Sequence, residues 1–103
     1  MEIPKLLESI RIKTDINDWG GVGKLHNNLG KAFYSLGSLD SATSHLTKAM
    51  DNKSYMTQSN GGSSSLLNLG TVRFDMGEYE EADSLFRRAL YLKEKAKEPV
   101  PIA

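Results

Sequence analysis

His26 and His45 are the two histidines of the chain and the first side chains to weigh for metal or proton-transfer chemistry. Either role needs further ligands or an orienting partner at a set distance, and none is apparent. Gly20 to Lys24, GGVGK, brings glycines and a lysine to the start of a helix, but it lacks the full spacing and the preceding strand of a phosphate loop. Cysteine is absent, which removes disulfides and thiolate metal sites and is compatible with a reducing, cytoplasmic setting. No catalytic residue, metal site or cofactor is therefore expected. Thirteen basic residues balance thirteen acidic ones, so no global field draws the chain to nucleic acid or to anionic lipid. The apolar run from Ile3 to Ile10 is broken by Pro4, Lys5 and Glu8, too short and too charged for a membrane span. What remains is recognition of a protein partner by local contacts.

The elements that would position such contacts come in copies. Leu25 to Met50 is heard again forty residues later: Asn28, Leu29, Gly30, Gly37, Ala42 and Ala49 return as Asn68, Leu69, Gly70, Gly77, Ala82 and Ala89 without a gap. The same shift aligns Leu6 with Leu46 and Phe86, Ile10 with Met50 and Leu90, and Lys13 with Lys53 and Lys93. The first helix thus reads as the second half of an incomplete repeat.

Apolar spacing predicts helices over about 2–14, 22–36, 39–52, 64–76 and 79–97, within one domain over 1–98 and with a tail over 99–103 after Pro99. Asp18 is placed to cap the second helix, and Gly37 and Gly77 stand where a helix closes in the left-handed region. Residues 54–65 have the composition of a linker, yet they keep the repeat length. Acidic residues at the start of the last helix and basic ones in its later turns complement the helix dipole. Gly30 and Gly70 lie inside helices, where glycine costs about 1 kcal/mol relative to alanine. Close approach of a partner helix, with Ala42 and Ala82 opposite, would offset that cost. Leu29, Phe33, Leu36, Leu39, Leu46 and Met50 would fill the first interface, and Leu69, Val72, Met76, Tyr79, Phe86 and Leu90 the second. Arg73, at the register position of Phe33, is expected to lay its stem on apolar surface and reach an acid.

His26, Leu29, Gly30, Phe33, Ala42 and Leu46, with Leu66, Leu69, Gly70, Arg73, Ala82 and Phe86 in the second copy, resemble the tetratricopeptide repeat pattern W-x-x-L-G-x-x-Y, A-x-x-x-F. The closing proline is absent and the period is forty, a length most similar to the repeats of G-protein signalling modulator scaffolds of the LGN and Pins type. The resemblance implies an all-α, right-handed solenoid of helical hairpins, five helices forming half a repeat plus two full ones. It also implies a concave groove lined by the first helix of each repeat. Carried over, that groove takes Lys24, Asn27, Asn28, Lys31 and Tyr34 from the first copy and Ser64, Asn68, Thr71, Phe74 and Asp75 from the second.

Asn28 and Asn68 would pair with the backbone of a bound peptide, since an amide both donates and accepts, and Lys24 and Lys31 would select acidic side chains. Asn27, Lys31 and Asn68 also lie near the positions of a carboxylate clamp, with the residue types of the first pair exchanged. The expected function is a protein-interaction scaffold that holds a peptide or helix of a partner. The alternative is a structural segment that self-associates into a homo-oligomer through unpaired terminal helices.

Overall fold

Local signals in the sequence become element boundaries in the computed structural model, which describes residues 2–57 and 61–97. Asp18 ends the first connection by accepting a hydrogen bond from the Gly21 amide on its carboxylate, 3.1 Å. Helix α2 therefore begins at Trp19, three residues before the expected start. At the hairpin turns Gly37 (φ 78°) and Gly77 (φ 81°) take the left-handed conformation that closes a helix without a Cβ clash. The described elements are α1 (Glu2–Asp15), α2 (Trp19–Ser35), α3 (Leu39–Asp51), α4 (Lys53–Met56), α5 (Gly61–Asp75) and α6 (Tyr79–Lys97).

Six helices replace the expected five because Asn52 interrupts the second hairpin arm. Its backbone turns extended (ψ 101°), and its side-chain oxygen accepts from the Tyr55 amide at 2.9 Å, capping the single turn of α4. Its side-chain nitrogen donates to the Trp19 carbonyl at 2.7 Å, so the break is tied back to the start of α2. Forty residues later Leu92 stands in that place, offers no cap, and α6 runs unbroken. The segment read as linker-like thus contains most of α4 and the first turn of α5, which starts at Gly61, three residues before the expected start. The expected tail over 99–103, with Pro99 and Pro101, lies outside the described residues.

Packing follows the repeat. The hairpins α2/α3 and α5/α6 carry the closest helix pairs, α3 joins them by packing on α5, and α1 lies against α2 alone. The result is a slab of 47 × 39 × 18 Å. One cluster of Ala42, Leu46, Leu66, Leu69, Val72, Leu85 and Ala89 forms the core, crossing from one hairpin to the other. The in-helix glycines do permit close approach: the Ala42 backbone oxygen would lie 3.3 Å from a Cβ on Gly30, and a larger side chain comes nearer still. A Cβ on Gly30 would lie 2.4 Å from Leu46 Cγ, and one on Gly70 would lie 2.6 Å from Phe86 Cε1. The larger residue one turn beyond each alanine supplies the cover. Gly23 does the same for Tyr55, whose Cβ would be 2.3 Å from an added methyl.

Four residues placed in the interfaces by periodicity are exposed instead: Leu36 and Met76 beside the glycine turns, and Tyr79 and Leu90 on α6. Turn residues flare outward from the last helical turn, and α6 has α5 as its single neighbour. Arg73 lies as expected, mostly covered, with Nη1 3.1 Å from Glu78 and Nε 3.4 Å from Glu81. The second contact is an ion pair by distance without hydrogen-bond alignment. The absent pairing helix leaves Leu7 and Ile12 of α1 about half exposed. Register places Glu2, Lys5 and Ser9 where α3 has Ala42, His45 and Ala49 facing α2, so the side of α1 where a further helix would pair is polar over its first two turns and ends on exposed Ile12.

Candidate functional site

The face formed by α2 and α5 carries the expected groove residues, and its geometry starts from one buried amide. Asn27 is 5% exposed. Its nitrogen donates to Ser64 Oγ at 3.2 Å, and its oxygen accepts from Asn68 Nδ2 and from Ser65 Oγ, both at 3.0 Å. Ser65, fully buried, shares a further hydrogen bond of 3.3 Å with Tyr55 Oη. A buried amide left unpaired would cost about 1–3 kcal/mol, so this closed network holds α2 and α5 at one spacing.

A second tie closes the other end of the face. Tyr34 donates its phenolic hydrogen to the Asp75 carboxylate, and that bond holds the phenol above its ordinary pKa. Asn27 and Tyr34 lie two turns apart on α2, as do Asn68 and Asp75 on α5, so the two helices are pinned along their length.

Of the expected groove residues the structure brings Asn27, Ser64 and Asn68 together, and separately Tyr34 and Asp75, but in contacts with one another. Asn27 thus spends its oxygen and one amide hydrogen within the fold. A carboxylate clamp through Asn27 and Asn68 loses its basis for the same reason. Thr71 donates to the Leu67 carbonyl of its own helix at 2.9 Å. Phe74 turns away from this face and meets Tyr79 edge-on at 5.1 Å between ring centres.

Lys24, Asn28 and Lys31 remain on the open side of α2, Asn28 half-buried and both lysines exposed. Asn28 and Lys31 line a cleft of about 270 Å³ with Ala32, Ser35 and Glu2 of α1. Glu2, Ser35, Ser65 and Tyr55 were not singled out by sequence. The repeat gives no signal for Glu2, whose place here follows from how α1 packs. Ser65 could have been found, because a serine flanked by Leu66 and Leu67 sits at the helical spacing of buried positions.

The histidines meet on the hairpin. His26 Nδ1 and His45 Nδ1 are 3.1 Å apart, the rings stack at 5.3 Å, and Phe33 stacks on His45 at 5.4 Å. One imidazole donates and the other accepts, an arrangement that requires the acceptor to be neutral and is lost when both are protonated. Burial first, then the charges of His45 and Lys48, brings His26 down to about 4, and burial with Lys48 lowers His45. The pair packs α2 against α3. Among the described residues no group of three or more His, Cys, Asp or Glu is placed to hold a metal ion. Gly20 to Lys24 is helical, with Gly23 covered by Tyr55, and forms no phosphate cradle. No described helix is long and apolar enough to cross a membrane.

Neither a curated protein nor a solved structure matches the chain. Residues 63–96 match the family model described as the tetratricopeptide repeat, a stretch that covers most of α5 and α6. The all-helical hairpins and this match support reading the chain as a tetratricopeptide-type repeat protein.

Proposed function

We propose that the chain is a protein-interaction module that captures a peptide or helical segment of a partner along the open side of α2, with Glu2 of α1 at the adjoining wall. Tetratricopeptide repeats generally mediate protein–protein interaction. The observation that carries the finer reading is the Asn28–Lys31 cleft. It joins an amide able to pair with any peptide backbone to an ammonium, beside helices whose spacing the Asn27 network already fixes. Lys24 extends the basic strip by two turns, which favours acidic residues in the ligand. In this reading the hairpins stack as a right-handed solenoid of forty-residue units, similar to the LGN and Pins type, working in the cytoplasm, where a cysteine-free chain loses nothing to reduction.

Peptides selected from a random library on the full chain provide the test. Binding should fall at least roughly tenfold, or 1.4 kcal/mol, for Asn28→Ala with Lys31→Glu, while far-ultraviolet circular dichroism stays unchanged. Peptides that bind this variant as tightly as the parent chain would refute the site.

A further inference from the structure

The outer side of α6 repeats a row of residues that is covered, wholly or in part, in both other copies and open at its two ends here. A forty-residue shift carries Leu39, Leu46 and Met50 of α3 onto Tyr79, Phe86 and Leu90 of α6. In α3 the row is closed: Leu46 is fully buried, and Leu39 and Met50 pack against the cluster that contains Leu66, Leu69 and Val72 of α5. In α1 the same row is Leu6 and Ile10, half-buried although α2 is the one described element that touches α1. On α6, Tyr79 is 61% and Leu90 57% exposed, and between them Phe86 is half-buried, its ring against Gly70 and only its remaining edge open.

The row also has the spacing of a helix seam. Tyr79, Asp83, Phe86, Leu90 and Lys93 follow one another in steps of four and three, the alternation that keeps one stripe facing a parallel or antiparallel helix. Charge decides the orientation. Glu80 and Glu81 sit in the first turn of α6, while Arg87, Arg88 and Lys93 follow in its later turns. Such a helix is complementary to itself when reversed and repels itself when parallel.

We propose that this face docks on the same face of a second copy of the chain, the two α6 helices running antiparallel about a two-fold axis. Antiparallel seam packing sets Tyr79 over Leu90 of the partner subunit, Phe86 over Asp83 of the partner subunit, and Glu80 beside Arg87 of the partner subunit. Asp83 already holds its own Arg87 at 2.8 Å. An acid near the centre of the seam weakens the dimer and, by rejecting other alignments, fixes its register. The contact uses the same patch on both copies, so it closes at two. It is independent of the cleft on α2.

Sedimentation equilibrium of the full chain, from about 1 µM to 1 mM, tests it. The mass should rise from 11.4 kDa toward twice that value. Leu90→Glu should hold the chain monomeric with its helix content intact, and Asp83→Leu should tighten the dimer roughly tenfold or more. Glu80→Arg should weaken association, and adding Arg87→Glu should restore it. Because the chain has no cysteine, Tyr79→Cys with Leu90→Cys gives a clean cross-link. The two positions are about 16 Å apart along one helix, too far for an internal disulfide. Oxidation should yield a dimer that stops at two. A chain that stays monomeric throughout leaves the face to some other protein and overturns the proposal. So does a ladder beyond the dimer, a mass unaffected by Leu90→Glu, or a charge swap that fails to restore association.

Discussion

Two neighbouring asparagines show how one residue step changes a role. Asn27 is spent inside the fold and Asn28 faces the cleft, although the two have the same chemistry and adjoin in sequence. Asn27→Ala should cost about 1–3 kcal/mol in urea unfolding, since Ser64, Ser65 and Asn68 lose a shared partner, whereas Asn28→Ala should fall within about 0.5 kcal/mol. The histidine pair gives a pH signature. His26 titrates near 4 in the fold against an ordinary 6.5, so the unfolded chain binds more protons between those values. Stability should be fully present above about pH 6.5 and decline as the pH falls toward 4, read as a falling thermal midpoint. In His26→Phe that slope should flatten. Periodicity could not reveal either feature, because both depend on which residue of another helix arrives opposite, a fact of tertiary packing.

At the scale of elements the glycines divide into two kinds. Gly37 is needed for its backbone angle and has nothing within 4 Å of an added Cβ. Gly30 has ordinary helical geometry but no room, with Leu46 in the space a methyl would take. Alanine at either position should destabilise, for opposite reasons. Gly37→Ala should cost about 1 kcal/mol from left-handed strain. At Gly30 overpacking of about 1–3 kcal/mol outweighs the roughly 1 kcal/mol helix-propensity gain. Adding Leu46→Ala to Gly30→Ala should recover part of that loss in a double-mutant cycle and should recover nothing for Gly37→Ala. Helix positions and both glycine turns were legible because they follow from local spacing and backbone sterics. The α4 break was not: it rests on Asn52 reaching both forward to Tyr55 and back to Trp19. Leu36, Met76, Tyr79 and Leu90 misled because an apolar residue at helical spacing announces a face but not a neighbour to cover it.

For the whole molecule, the core cluster draws from α3, α5 and α6 together, with Phe33 and Tyr34 of α2 packed against it. The hairpins should therefore unfold as one unit. Urea curves followed by Trp19 fluorescence, which reports the first hairpin, and by circular dichroism, which reports all helices, should coincide in midpoint and slope. Separated curves would mean that the repeats melt in turn, as longer arrays can. The mixed side that α1 turns outward has a corollary for building on this scaffold. Additional forty-residue units appended beyond α6 would find an apolar seat at Tyr79 and Leu90, while units prefixed to α1 would meet Leu7 and Ile12 but would have to bury Glu2 and Lys5 as well. The array offers a seat at either end, and the one on α1 is bounded by charge.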